Sequence, residues 1–287
     1  MTETAIQSII TGVLMGMIYA LIALGISIIF GVMNVVNFAH GDFVMFSMYL
    51  SYVLGTALVW DAVQTPLLTF PILLIFGLIV YYLIIDRTLR QLYVVQLAAT
   101  VGLQIMMRAA ALVIWRGQPR ALQYSFIQGN FEIFGFQVLT SRFVAALISL
   151  IFIAAIAYFM NKTWAGAAMR AASDDLDAAT LMGVNYRRTY ALTFALGSAL
   201  TAIAGGLLMS FQQTDPVGGI RFGFLSWCVL ALAGLGSIPG LIVAGAIVGI
   251  AESLQVTFFN PQGRLLAVYA IFILVLWLKP RGLFGRK

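Results

Sequence analysis

The chain has 287 residues, of which 62% are hydrophobic and 9% are charged, and its formal net charge is +6. A soluble domain of this size carries about a quarter charged residues, so the composition excludes an ordinary soluble protein and indicates a polytopic membrane protein. The basic residues lie in short loops between apolar segments, which fits membrane topology better than nucleic-acid binding.

The counts of a few residue types exclude several kinds of site. A single cysteine, Cys228, excludes an internal disulfide, and a single histidine, His40, argues against a metal site built from several histidines. The chain has no G-x-x-x-x-G-K-[ST] motif, so it carries no P-loop of its own. If ATP drives this protein, the ATPase is therefore a separate subunit.

Apolar segments of spanning or near-spanning length follow one another along the whole chain. Counted at roughly 20 residues per span, about nine are present, and they predict an all-α membrane protein whose residues 1–287 form one domain. The segments lie near residues 6–30, 41–58, 66–85, 94–115, 141–160, 190–211, 222–236, 241–258 and 264–279. The two segments that flank residues 236–240 could instead form a single broken or re-entrant unit, which would give eight.

The placement of arginine and lysine predicts the orientation, because short cytoplasmic loops carry an excess of both residues. If the loop at about 162–189 is cytoplasmic and the spans alternate, ten basic residues lie inside and five lie outside or at the outer rim. The ten are Arg87, Arg90, Lys162, Arg170, Arg187, Arg188, Lys279, Arg281, Arg286 and Lys287; the five are Arg116, Arg120, Arg142, Arg221 and Arg264. We therefore expect the N-terminus outside and the C-terminus in the cytoplasm. The longest outer loop, at about 117–139, is either a surface for an external partner or a plain connector.

Polar residues interrupt an apolar run of about fifty residues near the start of the chain. The stretch 31–42 reads G-V-M-N-V-V-N-F-A-H-G-D and contains Asn34, Asn37, His40 and Asp42. Polar groups at membrane depth are costly, so they usually line a cavity or end a broken helix. These four residues are therefore candidates for the translocation path. The alternative is a short cytoplasmic turn in which Asn and Asp act as caps.

Two further charges lie within predicted spans. Glu252 lies about six residues from the outer end of its span, so we expect it to be partnered, protonated or facing water, and it is a candidate for the translocation path. Arg108 lies about seven residues from Trp115, close enough for its long stem to snorkel outward. Each charge could line the transport path, and a structural ion pair or an interfacial snorkel is the alternative for either. On the snorkelling interpretation, lysine should replace Arg108 without loss of transport.

Y-A-L occurs twice, at residues 19–21 and 190–192, and A-L-G follows each copy within a few residues. Many transporters contain internal repeats, so the recurrence hints at a repeat in this chain. Chance similarity between two apolar segments is an equally good explanation.

The loop at about 162–189 is the longest stretch without an apolar segment that could span the membrane. Its sequence predicts a short helix with capping signals at both ends. Ser173 can cap the start of this helix, and acidic residues crowd its first turn, where the helix dipole favours negative charge. Gly183 is placed to stop the helix, and Ala179 together with Gly183 gives a small, smooth face. The alternative is a solvated helix that only connects two spans.

One motif in this loop carries a resemblance. Asp177-Ala178-Ala179, followed after three residues by Gly183, resembles the E-A-A-x-x-x-G loop of ABC importer permeases. Aspartate replaces glutamate here, and the I-x-L-P that follows in that family is absent. In that family the loop forms a cytoplasmic coupling helix that docks into a cleft of an ATPase. The resemblance implies a docking role for Arg170, Ser173, Asp174, Asp175, Asp177, Ala178, Ala179 and Gly183.

A second resemblance extends over nearly the whole chain. The stretches 19–25 (Y-A-L-I-A-L-G), 37–45 (N-F-A-H-G-D-F-V-M) and 234–240 (G-L-G-S-I-P-G) are similar to those of branched-chain amino acid ABC permeases of the LivH type. Further matches lie at 29–32, 99–103, 194–206 and 279–285. The chain departs from the family at Asp42, where we expect glutamate. The wider family also includes permeases for urea, short amides and other small solutes.

The resemblance implies a transport subunit in the bacterial inner membrane that catalyses no covalent chemistry. It also implies four kinds of partner: a second similar permease (LivM type), two cytoplasmic ABC ATPases, a periplasmic solute-binding protein and the lipid membrane. ATP and Mg²⁺ would bind the ATPases, so we expect no cofactor or metal on this chain and no nucleic-acid partner. The alternative from a different class is an ion-coupled secondary transporter or channel, in which Asp42 and Glu252 are the candidate acids. An integral-membrane enzyme would need a convergent catalytic set that one His and one Cys do not supply.

Overall fold

The computed structural model describes residues 2–122, 127, 129–133 and 135–285. Eight helical segments in this part of the chain are long and apolar enough to cross a membrane. They are α1 (Thr2–Met33), α2 (His40–Leu58), α3 (Pro66–Val80) with its continuation into α4 (Asp86–Thr88), α5 (Tyr93–Trp115), α6 (Thr140–Lys162), α9 (Tyr186–Met209), α11 (Ile238–Phe258) and Pro261–Leu278, which contains α12 (Leu266–Leu278). A π-helical turn at Tyr81–Ile85 joins α3 to α4, and a 3-10 turn at Pro261–Gly263 precedes α12.

A ninth apolar helix, α10 (Gly218–Ala233), is shorter than the others. Its 16 residues span roughly 24 Å at 1.5 Å per residue, less than the roughly 30 Å hydrocarbon core of a bilayer. The prediction of an all-α polytopic protein with eight to nine spans is confirmed. The two segments that flank residues 236–240 form two separate helices, α10 and α11. The loop between α6 and α9 contains two short helices, α7 (Trp164–Asp174) and α8 (Leu176–Leu181).

Two helices form the centre of the bundle. Within their most apolar windows, 78% of α1 and 89% of α9 is buried, whereas the same share is 22% for α5 and α6 and 6% for the Pro261–Leu278 segment. Helix α1 packs against α6, α9, α10 and α11, and α9 packs against α1, α2 and α3. The apolar outer faces of α5, α6 and α12 are therefore left for lipid, as expected where no water is present to drive their burial.

Glycines allow the central helices to approach to backbone contact. A Cβ atom on Gly12 of α1 would lie 2.6 Å from the Cα of Ile250 in α11, which is too close for a side chain. Gly16 of α1 and Gly245 of α11 are in the same position against each other's carbonyl groups. Both helices carry a G-x-x-x-G spacing on the contacting face, the arrangement that allows close helix packing in membranes.

The two Y-A-L…A-L-G stretches meet in the structure. A Cβ atom on Gly25, which ends the first stretch, would lie 2.7 Å from the carbonyl oxygen of Gly197, which ends the second, and the reverse distance is also 2.7 Å. Each stretch lies on a central helix that is followed by a break and then by a helix that begins within the bundle, α2 after α1 and α10 after α9. The two stretches therefore form one close contact between the central helices α1 and α9.

The long loop between α5 and α6 contains a β-hairpin that the sequence did not predict. Strand β1 (Asn130–Ile133) pairs antiparallel with β2 (Phe136–Leu139), with Phe131 opposite Val138. The side chain of Gln7 in α1 donates a hydrogen bond to the carbonyl of Gln137. The hairpin therefore lies against the end of the bundle that carries the N-terminus.

Candidate functional site

The predicted interruption after α1 is present, and Asn34 starts it. The backbone of Asn34 is left-handed, with φ 53°, and its N–H donates to the carbonyl of Phe30 at 2.9 Å. Asparagine tolerates this conformation better than most residues because its short polar side chain bonds locally. The side chain of Asn34 is exposed. Asn34 therefore ends a helix, which agrees with the turn interpretation for this one residue.

The other polar residues of the interruption are fully buried. Asn37, His40 and Asp42 have no exposed surface. The Asn37 side-chain oxygen accepts a hydrogen bond from the N–H of Ala39 at 3.1 Å, and His40 Nε2 lies 2.9 Å from the carbonyl oxygen of Ile22 in α1. Asn37 Nδ2 and His40 Nδ1 have no hydrogen-bond partner in the described part of the chain. A solvated cytoplasmic turn does not fit these three residues.

Asp42 pairs with Arg108, 66 residues further along the chain. Arg108 Nε donates to Asp42 Oδ1 at 2.7 Å and Nη2 donates to Oδ2 at 3.1 Å, a two-pronged geometry that only arginine provides. The Asp42 side chain is 0% exposed and that of Arg108 is 21% exposed. The snorkelling interpretation of Arg108 is therefore wrong, and the basis for expecting lysine to replace it is removed. The alternative of a structural ion pair is confirmed.

The carboxylate of Asp42 also lies at two helix starts. It belongs to the first turn of α2, and a Cβ atom on Gly219, the second residue of α10, would lie 2.8 Å from Asp42 Cγ. The N-terminal ends of helices favour a negative charge, so both helices add to the stabilisation that Arg108 provides. A Cβ atom on Gly41 would overlap backbone atoms of Gly219 and Gly223, so α2 and α10 cross here at backbone contact.

Glu252 lies in a different place, in a polar cavity of about 610 Å³ between α1, α6, α10 and α11. Arg264 donates to Glu252 Oε1 at 2.7 Å, and the hydroxyl of Tyr19 donates to Oε2 at 2.5 Å. The expectation that this carboxylate is partnered is confirmed. Residues 34, 37, 40 and 42 do not line this cavity, so the structure does not join all five candidate path residues into one site.

The same cavity contains two arginines that the sequence interpretation assigned only to the outer rim. Arg142 and Arg221 both line it, and the Nε atom of each is buried without a hydrogen-bond partner in the described residues. Their guanidinium groups lie over aromatic rings, that of Arg142 at 5.6 Å from the ring centre of Phe211 and that of Arg221 at 4.6 Å from the ring centre of Phe222. A sequence signal existed, since each lies within the first four residues of an apolar helix.

The loop at 162–189 forms two helices where one was predicted, and its cap differs from the prediction. Helix α7 begins at Trp164 because Thr163 accepts a hydrogen bond from the N–H of Gly166 at 3.1 Å, so Ser173 lies inside a helix. The Ser173 hydroxyl instead donates to the carbonyl of Gly31 at 2.6 Å. Asp175 caps α8 by accepting from the N–H of Ala178 at 2.9 Å.

The structure does not place Ala179 and Gly183, the two small residues predicted to form one face of the helix, on the same surface. Ala179 is buried, at 5% exposure, whereas Gly183 has φ +89° and open space around it. Gly183 does end the helix as predicted, one residue beyond the cap at Met182. Leu181 and Met182, which the sequence interpretation did not single out, are 88% and 85% exposed. All six of the other candidate docking residues are exposed: Arg170, Ser173, Asp174, Asp175, Asp177 and Ala178.

Within the described ranges, no group of three or more His, Cys, Asp or Glu side chains is placed to hold a metal ion. The described buried charges form ion pairs and hydrogen bonds. The two clusters are the Asp42–Arg108 pair at the start of α2 and the arginine-rich cavity around Glu252.

Comparison with known proteins agrees with these features. Residues 8–276 match the family described as branched-chain amino acid transport system, permease component. The high-affinity branched-chain amino acid permease protein LivH of Salmonella typhimurium is 31% identical over 294 aligned positions, which cover 98% of this chain and 96% of the relative. LivH of Escherichia coli is 30% identical and BraD of Pseudomonas aeruginosa 29% identical, with the same coverage of both chains. Among solved structures, none matches the chain. Because the family match and these relatives extend over nearly its full length, the chain belongs to the branched-chain amino acid transport permease family and is a multi-pass permease component of a transporter.

Proposed function

We propose that the chain is the membrane-spanning permease subunit of an ATP-driven importer for branched-chain or similar small amino acids. The observation that carries the proposal is the extent of the match, residues 8–276, to a family described by that transport activity. The eight apolar helices give the membrane-spanning part. Residues 1–287 act as one permease domain that translocates the solute and catalyses no covalent reaction.

The remaining machinery of the proposed importer lies on other subunits. Two cytoplasmic ATPases bind ATP and Mg²⁺, a second similar permease completes the membrane part, and a periplasmic protein delivers the solute. The protein lies in the bacterial inner membrane with its N-terminus outside and its C-terminus in the cytoplasm. The ten-to-five distribution of basic residues supports this orientation.

The α7–α8 loop is the proposed docking surface for the ATPase. Two large apolar side chains at its tip, Leu181 and Met182, are almost fully exposed, which is unusual for a loop outside the lipid. Exposed acidic residues, including Asp174 and Asp177, surround them and complement a basic rim. The ion pair between Arg187 and Asp86, at 2.6 Å, ties the end of this loop to the start of α4. Movement of the loop is thereby linked to the membrane helices.

Transport is proposed to occur by alternating access, in which closure of the ATPases moves the helices on either side of a central crossing. The start of α2 supports such a role because it packs by backbone contact against α10 and has an ion pair, Asp42 with Arg108, at the crossing. Asn37 and His40 lie beside it, and each has one polar atom without a hydrogen-bond partner among the described residues. Polar atoms of this kind within a membrane protein commonly line a path for solute.

The ion-coupled alternative is disfavoured by the pairing of both candidate acids. Asp42 is bound by Arg108, and Glu252 is bound by Arg264 and Tyr19. A proton- or ion-driven carrier needs a carboxylate that can exchange its partner during transport. Neither acid is free to do so in this arrangement.

Co-purification from the native cell in a mild detergent, with mass spectrometry of the partners, tests the proposal. We expect two P-loop proteins, a second permease and a secreted solute-binding protein to elute with the chain. Reconstitution of the purified chain alone in liposomes is the control. Uptake of amino acid by that chain alone, driven by an ion gradient and without ATP, would contradict the proposal.

A further inference from the structure

The cavity around Glu252 has the size and position of a solute site. It lies at the end of the bundle that carries the N-terminus, where Thr4, Gln7 and Ser8 form part of its wall. Its volume of about 610 Å³ lies within the roughly 300–1,000 Å³ typical of small-molecule sites. On the proposed orientation, this is the end from which an imported solute arrives.

The charges that line the cavity do not balance. Three arginines, at positions 142, 221 and 264, face it together with two carboxylates, Asp215 and Glu252. Glu252 is occupied by Arg264 and by Tyr19. Asp215 accepts a hydrogen bond from the N–H of Val217 at 2.9 Å and forms no ion pair with any residue that the structure describes. One positive charge is therefore in excess, since three cations face two anions.

Arg142 and Arg221 carry this excess. Neither has a hydrogen-bond or ion-pair partner among the residues that the structure describes, and each has a buried Nε atom. Aromatic rings support both guanidinium groups from one side, which leaves their donor edges free. A buried guanidinium without an anion is costly, and its planar fork of N–H donors matches the two oxygens of a carboxylate.

We propose that Arg142 and Arg221 bind the carboxylate of the amino acid that is being transported, an inference that rests on the proposed function. The Asp215 carboxylate, on the same wall, is placed to receive the ammonium group. Met15, Phe211 and Val256 supply the apolar wall for a branched side chain. Urea and short amides lack a carboxylate, so they would leave both guanidinium groups without an anion. The site therefore selects α-amino acids over the neutral solutes of related permeases.

The test uses the complete complex in lipid nanodiscs, without its binding protein, and measures binding of radiolabelled leucine. We expect Arg142→Gln and Arg221→Gln each to weaken leucine binding at least tenfold. Arg116→Gln removes the same charge from an exposed position outside the cavity and should leave binding unchanged. Leucinol, which has no carboxylate, should fail to compete with leucine for the wild-type complex. Equal binding in all three variants, or effective competition by leucinol, would overturn the proposal.

Folding defects should not obscure this test, because neither arginine has an ion-pair partner in the described part of the chain that its replacement would leave unpaired. Should either glutamine variant fail to assemble, Arg142→Lys and Arg221→Lys keep the charge and lose the fork, and we expect leucine affinity between those of wild type and the glutamine variants. Wild-type affinity in both lysine variants would count against the site.

An acidic side chain of the binding protein is another possible source of a carboxylate. In that case the glutamine variants would reduce capture of the binding protein by the complex while free leucine bound normally, and the proposal would be wrong. Failure of the proposed function is a different result. It would be seen in the wild-type complex, as ATP-dependent uptake of another solute and none of leucine, isoleucine or valine.

Discussion

The Asp42–Arg108 pair allows a quantitative test, because its two partners are buried to different extents. We consider Arg108→Gln, Asp42→Asn, their combination, and Arg108→Lys. Loss of one partner from a buried ion pair costs about 3–5 kcal/mol of unfolding free energy, since a buried charge remains uncompensated. Arg108→Gln leaves a carboxylate that is 0% exposed, so we expect the full cost.

The reverse single change should be milder. Asp42→Asn leaves a guanidinium that is already 21% exposed and can turn its head toward water, so we expect about 1–3 kcal/mol. Arg108→Lys keeps the charge but cannot make both hydrogen bonds, at 2.7 and 3.1 Å. The loss of one charge-assisted bond predicts a cost of about 1.5–3 kcal/mol. In the double variant no charge remains, so its cost should be smaller than the sum of the single costs by several kcal/mol.

Equilibrium unfolding in mixed SDS and dodecyl maltoside micelles gives the unfolding free energies of the wild type and the four variants. Uptake at matched expression shows the effect of each change on transport. The expected order of stability is wild type, then Arg108→Lys and Asp42→Asn, then Arg108→Gln. Additive single effects, or a wild-type unfolding free energy for Arg108→Lys, would refute the reasoning and restore the interpretation of Arg108 as a snorkelling residue.

Three further predictions concern other parts of the chain. Gly41→Ala should lower the unfolding free energy in the same micelles by about 1–3 kcal/mol, because the added methyl group overpacks against α10. Gly102→Ala is the control, since Gly102 has open space around it, and it should not destabilise the bundle in this way. Equal effects of the two changes would contradict the backbone crossing. Aspartate at Leu181 and Met182 together should abolish co-purification of the ATPases while the membrane level of the protein stays normal; retained ATPases would show that this tip is not the docking surface. A cysteine that replaces exposed Asp174 should react only with reagents that reach the cytoplasm, because the α7–α8 loop is expected on that side. The native cysteine is buried and should not react. Labelling from outside intact cells would reverse the topology.

The membrane-spanning helices were predictable because hydrophobicity over about 20 residues is a local property of the sequence. All nine predicted segments are helical over most of their length, and α10 is short because the polar residues at 210–215 precede it. The partnered state of Glu252 was also predictable, since the cost of a lone buried carboxylate is general. The identity of its partners was not, because Tyr19 lies 233 residues away.

Contacts between distant segments account for what the sequence did not predict. Arg108 was assigned to the interface because a nearby tryptophan and a long stem are local signals, whereas Asp42 approaches it only after α2 and α5 have packed. Ser173 was assigned as a cap because it precedes acidic residues, but it lies near the end of α7, which Thr163 caps, and Asp175 caps the following helix α8. Arg142 and Arg221 were counted only for topology, since their common cavity arises from four helices that are distant in sequence.

The central position of α1 has a consequence for how the protein is made. Helix α1 is synthesised before the other described helices, yet Gly12 packs against residues near Gly249, which the ribosome adds roughly 12–47 s later at about 5–20 residues per second. During that interval α1 lies in the membrane without its contact to α11. Residues 4–33 contain no charged side chain, and the most apolar window of the helix has a mean hydropathy of 2.5, so we expect α1 to remain inserted. Asp42, by contrast, has a charge that stays unpaired until Arg108 in α5 has been synthesised. We therefore expect stable insertion of α2 to require the synthesis of α5.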